Sequence, residues 1–391
     1  MSHPAILAAR TEPFGAWVML TDHTLVAVDQ ARARTLGLDG GPQWLSHHTA
    51  PTFALEAHVA TTSRCPARCT SCYQDASPEG THVPREALSH TLRALAQAQV
   101  FTVAFGGGEP LTRDDLASLA LEARALGLVP VLTTSGLGFR DEHIEILRAF
   151  AQVNVSHDGV SGGYEQVRGF DAAATAERTI TELVRHGIPV GVNIVLTQRT
   201  FASLEATVRR VCALGVREVQ LLRYKPQGRA ASLDYFTQRL TPAQITALWP
   251  TLQRLSTDPT LPVSVRIDCA MTPFLVEHVH DPAPLAQWGI FGCEAGRHLT
   301  AVDRQGQLAP CSFVPNEPDE SSTSAPFATQ WTQRKSLTQF RNLAESPPEP
   351  CAQCALHTVC RGGCKVVSGF IDHALGPDPE CPRVRAHRGS P

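Results

Sequence analysis

The chain has 391 residues, 43% of them hydrophobic and 18% charged, with a formal net charge of -3. A chain of that length and apolar share buries a full core and suits two or three units, while a near-neutral balance without a basic stripe speaks against nucleic acid as a partner. The N-terminus lacks the apolar core of a signal peptide and no run approaches membrane-spanning length, so a cytoplasmic protein is expected.

Residues 1–50 predict a hairpin, with Phe14–Leu20 and Leu25–Val28 joined by the polar turn Thr21–Thr24. A short helix over Ala31–Leu38 should end at Gly40-Gly41. Two roles stand open for this segment: padding behind the next domain, or a sheet edge that docks an extended peptide.

From Phe53 to Arg223 short apolar runs alternate with stretches of helical period. The expected strands are Phe53–Val59, Val100–Phe105, Val129–Thr134, Val153–Ser156, Val190–Leu196 and Glu218–Arg223. Helices are expected over Arg85–Ala98 (opened by Pro84), Thr112–Leu126, Asp171–His186 and Ser203–Leu214. Six strand–helix units imply an α/β fold whose parallel sheet rolls into a barrel or partial barrel, with the chemistry at the carboxyl ends of the strands. Thr241–Ser256 reads as a further helix and Val263–Ile267 as a strand. Beyond Cys293 the periodicity dissolves, and Pro315–Pro326 and Ser346–Pro350 read as loops. A region so poor in apolar pattern needs staples.

The twelve cysteines supply them. In a reducing compartment they point to metal rather than disulfides. Cys65, Cys69 and Cys72 follow the first barrel strand, seven more lie in the last quarter, and Cys212 sits in an apolar helical run as ordinary core. Cys269 is left unassigned. Three thiols within eight residues hold either a zinc knot or three corners of an iron–sulfur cube; in the second case one iron keeps an open position for a small molecule. The second strand ends in Gly106-Gly107-Gly108-Glu109-Pro110, where glycines let a ligand approach the backbone and a carboxylate can receive an ammonium.

The spacing C-x3-C-x2-C, followed one strand–helix unit later by Gly-Gly-Glu-Pro, resembles the radical S-adenosylmethionine (SAM) enzymes. The resemblance implies a partial (β/α)6 TIM-like barrel in which Cys65, Cys69 and Cys72 hold a [4Fe-4S] cluster. It further implies that Gly107, Gly108 and Glu109 hold the amino group of SAM. Ser156 and Asp158, in Ser-His-Asp-Gly at the end of the fourth strand, resemble the family's Ser-x-Asp-Gly, with Ser156 toward ribose and methionine; Asp158 equally suits a turn cap. Asn193 on the fifth strand is a further ribose candidate. The family's aromatic before the third cysteine is Ser71 here, and Tyr73 is the replacement stacking face for adenine. Arg223 and Arg229 suit either a carboxylate of SAM or substrate, or surface ion pairs.

Cys293, Cys311, Cys351-x2-Cys354-x5-Cys360-x3-Cys364 and Cys381 resemble the SPASM extension of peptide-modifying radical SAM enzymes. Carried across by position, Cys351, Cys354, Cys360 and Cys381 ligate an outer auxiliary [4Fe-4S] cluster, and Cys293, Cys311 and Cys364 an inner one. The family's further cysteine six or seven residues after the first is missing, since Leu299 and Thr300 stand there. The inner cluster is thus left with an open iron or with His298, Cys269 or a substrate atom. The expected organisation is an N-terminal segment 1–50, a barrel 51–288 and a SPASM domain 289–391.

The implied activity is reductive cleavage of SAM to a 5′-deoxyadenosyl radical that abstracts hydrogen from a peptide, as in the mycofactocin and pyrroloquinoline-quinone maturases. Implied partners are that peptide, a small leader-binding protein and a reductant such as flavodoxin or ferredoxin. Sulfatase maturation or tetrapyrrole modification uses the same parts; a zinc-stapled binding module is the non-enzyme alternative. Asp158, Tyr164 and Asp268 are the acid–base candidates.

Overall fold

A computed structural model describes residues 5–45, 51–232, 234–315 and 325–389. Most of the chain is built on one nine-stranded sheet, whose strands lie side by side in the order Ser264–Ile267, Glu218–Arg223, Val190–Leu196, Gln152–Ser156, Val129–Thr134, Thr102–Gly107, Glu56–Thr62, Leu299–Val302 and Leu308–Ala309. The strands β4 (Glu56–Thr62), β5 (Thr102–Gly107), β6 (Val129–Thr134), β7 (Gln152–Ser156), β8 (Val190–Leu196), β9 (Glu218–Arg223) and β10 (Ser264–Ile267) run parallel. Helices follow them, among them Arg85–Gln97, Leu116–Ala125, Ala173–Arg185, Leu204–Ala213 and Pro242–Thr257. This is the partial barrel expected from the alternation, with a seventh parallel strand added.

The local reasons are those the sequence suggests. β8 is buried on nearly every residue, as a parallel strand must be with helices against the outside of the barrel and side chains filling its inside. Helix Arg85–Gln97 starts after Pro84 and buries Leu88, Leu92 and Leu95 on one stripe. Helix Pro242–Thr257 is opened by a capping box between Thr241 and Gln244, with Pro242 in its first turn. Cys212 packs against the barrel core, as expected.

Two parts differ from the expectation. The N-terminal hairpin is the second half of a three-stranded antiparallel meander, β1 (Ile6–Glu12), β2 (Gly15–Leu20) and β3 (Leu25–Asp29). The helix after it is shorter than expected and spans Gln30–Thr35, with Asp29 accepting from the Arg32 N–H. Arg10, buried and paired with Glu12, donates to the carbonyls of Phe53 (2.8 Å), Ala54 (2.9 Å) and Gln99 (3.1 Å). Those carbonyls precede β4 and β5, so the meander is fastened to the amino-terminal end of the barrel.

The region after Cys293 also has more order than its composition suggested. β11 (Leu299–Val302) pairs parallel with β4, and β12 (Leu308–Ala309) pairs antiparallel with β11. Phe327, Trp331 and Leu337 join the barrel's own apolar core, with Trp331 against Phe53 at 4.6 Å. This part borrows a core rather than building one. The stretch expected as a loop at 315–326 lies mostly outside the described residues. Among those described, no helix is long and apolar enough to cross a membrane.

Candidate SAM and iron–sulfur site

β4 ends at Thr62, and the next fourteen or so residues fold back as a loop that carries the three thiols. The Cys65 N–H donates to Ser77 O at 2.9 Å and the Cys72 N–H to Cys69 O at 3.4 Å. Two arginines from other strand ends clamp the loop. Arg229, after β9, gives its Nε to Cys69 O (2.8 Å), an Nη to Ala76 O (2.9 Å) and its backbone N–H to Cys72 O (2.9 Å). Arg168, after β7, accepts from the Thr70 N–H through its carbonyl and brings its guanidinium to 4.0 Å from Cys69 Sγ. Tyr224 reaches Ser71 Oγ at 3.3 Å. Burial pushes the Cys65 thiol up to about 11 and raises Cys69 as well, although Arg168 works the other way on Cys69.

The glycine turn at the end of β5 lies directly against this loop. The Gly108 N–H donates to Thr62 O at 2.7 Å and the Glu109 N–H to Arg64 O at 2.9 Å. A side chain cannot fit here: a Cβ on Gly107 (φ +116°) would stand 2.3 Å from Thr62 O, and one on Gly108 2.2 Å from Arg64 O. The residue after them is tied to the next strand end. Glu109 is fully buried, and its carboxylate accepts from Thr134 Oγ1 (2.7 Å), the Ser135 N–H (2.8 Å), Ser135 Oγ and the Leu111 N–H (3.1 Å). Four donors already fill its lone-pair positions.

At the next strand ends, Ser156 pairs in register with Asn193 on β8. Asn193 is 8% exposed and its Oδ1 finds no hydrogen-bond partner among the described residues. A buried amide oxygen without a donor is costly, so this acceptor is open to a donor from outside the chain. Asp158 is spent differently: it accepts from Arg168 Nε at 2.6 Å and from the Val195 N–H at 3.0 Å. Tyr73 stacks on Phe313 with centroids 4.2 Å apart, so one of its faces is already covered.

A family model for the Radical SAM superfamily matches residues 59–211, from within β4 to the helix after β8. The chain carries a radical SAM domain. Mycofactocin maturase MftC of Mycobacterium tuberculosis (strain CDC 1551 / Oshkosh) is 27% identical over 351 residues, covering 83% of this chain and 82% of that protein. Pre-heme d1 synthase of Dinoroseobacter shibae is 27% identical over 353 residues, covering 84% and 86%. PqqA peptide cyclase of Gluconobacter oxydans is 25% identical over 347 residues, covering 85% and 92%. Among solved structures, SuiB of Streptococcus suis bound to S-adenosylmethionine superposes with a TM-score of 0.75 at 16% identity, covering 98% of this chain and 99% of SuiB.

Beyond the radical SAM domain, the late cysteines fall into two groups. Cys351, Cys354, Cys360 and Cys381 line one small cavity with Pro273, Val276, Leu356 and Val384. Burial raises Cys351 to about 11 and Cys381 to about 12, and their neighbouring thiols add to it. Cys293, Cys311 and Cys364 gather elsewhere, where burial raises all three, Cys311 to about 12. Among the described residues no three His, Cys, Asp or Glu side chains are drawn together as a single metal ion requires. A cube of irons and sulfides spreads its thiolates over its corners, and sets of three and four cysteines are its usual donors.

Arg223 was a candidate for a carboxylate of SAM or substrate. It is instead buried against Asp378 (3.1 Å) and Glu380 (2.6 Å), with its Nη1 on Ala270 O at 2.8 Å. Arg229 is taken up by the triplet loop. Of the acid–base candidates, Asp158 is held by Arg168 and Asp268 by Lys225, while the Tyr164 hydroxyl is buried with no partner among the described residues. Burial pushes Tyr164 up to about 12. Sequence reasoning missed Arg168, Lys225 and Phe313. None belongs to a motif, and each acts on a segment far away in the chain.

Proposed function

We propose that this enzyme is a radical SAM maturase of a peptide substrate, with two auxiliary clusters in its C-terminal part. The observation that carries the reading is the backbone junction at 2.7–2.9 Å between the Cys65/Cys69/Cys72 loop and the Gly107-Gly108 turn, at the carboxyl ends of two adjacent parallel strands. Cys65, Cys69 and Cys72 would hold a [4Fe-4S] cluster that, when bound, would supply the one-electron reduction of SAM from which hydrogen abstraction from the substrate would follow. The chain's own residues prepare that event. Gly107 and Gly108 admit the methionine end to the backbone, and Asn193 Oδ1, beside Ser156, takes a ribose hydroxyl. Arg168 sets a positive charge beside Cys69, and the barrel wall excludes water from the carboxyl-terminal mouth.

A peptide is favoured because the maturase MftC and PqqA peptide cyclase match over more than four-fifths of their lengths. Tetrapyrrole modification is the second reading, since pre-heme d1 synthase matches over a comparable length, one relative against two; a zinc-only module leaves the glycine turn set against the cysteine loop unexplained. The protein acts in the cytoplasm, where a flavodoxin or ferredoxin supplies the electron and a small leader-binding protein presents the substrate.

Anaerobically reconstituted protein given dithionite and SAM should release 5′-deoxyadenosine, and Cys→Ala at 65, 69 and 72 should abolish it. Co-expression with a short peptide, should one be encoded beside the gene, is expected to change that peptide's mass by loss of two hydrogens or of a carboxyl group. Release that survives the triple replacement sinks the reading.

A further inference from the structure

The inner group of thiols has a fourth member. Cys269 opens a 3-10 helix, Cys269–Leu275, immediately after β10. Asp268 Oδ1 fixes that start, accepting from the Ala270 N–H at 3.1 Å and from Cys269 Sγ at 3.2 Å. Arg223 Nη1 holds Ala270 O at 2.8 Å, and the same guanidinium is paired with Asp378, whose Oδ2 accepts the Cys364 N–H at 2.9 Å. One buried cation thus fixes the chain next to Cys269 and the chain next to Cys364. Ala270 and Cys364 lie in one buried apolar cluster, with Tyr224 and Tyr235 among its members.

Two further contacts bring the segments of the other thiols to the same place. Thr272 Oγ1, on the helix that Cys269 opens, donates to Phe291 O at 3.1 Å, two residues before Cys293. Lys225, paired with Asp268, sits over the Phe313 ring at 4.2 Å, two residues after Cys311. His298 competes poorly as a ligand. Its Nδ1 is 2.9 Å from Glu294, its ring sits edge-on to Trp17 of the N-terminal meander, and it stands at the amino-terminal end of β11.

We infer that Cys269 is the fourth protein ligand of the inner auxiliary cluster, together with Cys293, Cys311 and Cys364, and that this cluster is closed to substrate. The inference rests on reading the C-terminal cysteines as cluster ligands. On binding, a sulfur–iron bond replaces the S–H bond and the proton leaves to solvent. A closed inner cluster cannot anchor a substrate thiol or backbone atom, so its work is confined to electron transfer.

The test uses the full chain with Cys65, Cys69 and Cys72 replaced by alanine, so that auxiliary iron alone gives the signal. Iron and sulfide are counted per chain, and the reduced protein is followed by electron paramagnetic resonance with and without cyanide. The inference requires a spectrum that cyanide leaves alone. Adding Cys269→Ala should then create a cyanide-sensitive spectrum and release one iron on mild oxidation, while Cys269→Ser should shift the spectrum and keep that iron. Cys212→Ala, in the helix Leu204–Ala213, should change nothing. A cyanide response in the protein with Cys269 intact overturns the inference, even if the alanine variant fails to fold. So does an unchanged spectrum after Cys269→Ala. Zinc without sulfide overturns the cluster reading itself, a result distinct from either.

Discussion

Arg168 Nε lies 2.6 Å from Asp158 Oδ2, and the same guanidinium reaches to 4.0 Å from Cys69 Sγ. The pair is nearly out of solvent, so its effect is not screened as a surface pair's is. Asp158 therefore holds Arg168 against the cysteine loop. Asp158→Asn should leave an unpaired cation in that place and cost about 3 kcal/mol of stability, seen as a lower urea midpoint. Arg168→Lys should keep the charge but lose the second arm of contact. Its expected mark is slower reconstitution of the triplet cluster, read by iron content, with the auxiliary iron unchanged.

Glu109 ties the end of β5 to the end of β6 through Thr134 and Ser135. Glu109→Gln turns one acceptor into a donor that faces donors, which should cost about 1–3 kcal/mol. Ser135→Ala removes a donor and should cost about 1 kcal/mol. If Glu109 instead held the SAM ammonium directly, Ser135→Ala would leave the structure loose but SAM affinity intact, whereas Glu109→Gln would cut affinity without lowering the unfolding midpoint. Equilibrium SAM binding measured beside urea unfolding separates the two cases.

What the sequence disclosed follows the reach of its signals. β6, β8 and β9 fall on the expected residues because each is a compact apolar run between helical stretches. β1 escaped because Ile6-Leu-Ala-Ala-Arg-Thr-Glu12 has no clean alternation; it is a strand through its pairing with β2. β11 and β12 escaped because four and two residues carry no period, and β4 is what orders them. The motifs showed which residues bear chemistry, but not how the acidic and basic ones are used. Arg223 finds Asp378, and Arg168 finds Cys69, across long stretches of chain that no local pattern links. Burial then makes each of those partnerships costly to break, and no local pattern in the sequence announces them.

The Arg10–Glu12 pair fastens the N-terminal meander to the barrel's amino-terminal end. Arg10 is 3% exposed and burial lowers its pKa against the pull of Glu12, so removing Glu12 leaves a buried cation held by carbonyls alone. Glu12→Gln should cost about 3 kcal/mol. The cost should appear as faster hydrogen exchange confined to residues 5–45, with barrel strands such as β8 still protected. Uniform loss of protection would mean that the meander is part of the barrel's cooperative unit.

Asn193 gives the most direct check on where SAM lies. Its Oδ1 is buried and has no donor among the described residues, a state that costs free energy and that a ribose hydroxyl at the proposed position would relieve. Replacing it with an apolar group should therefore affect stability and binding in opposite directions. Asn193→Leu should leave the urea midpoint equal or higher, since an unsatisfied polar atom is removed from the wall. Its SAM affinity should fall by roughly tenfold, the equivalent of about 1.4 kcal/mol for one lost hydrogen bond. Asn193→Asp should keep an acceptor and much of the binding. Affinity unchanged in the leucine variant would place the ribose elsewhere along the strand ends, with Ser156 the next residue to replace.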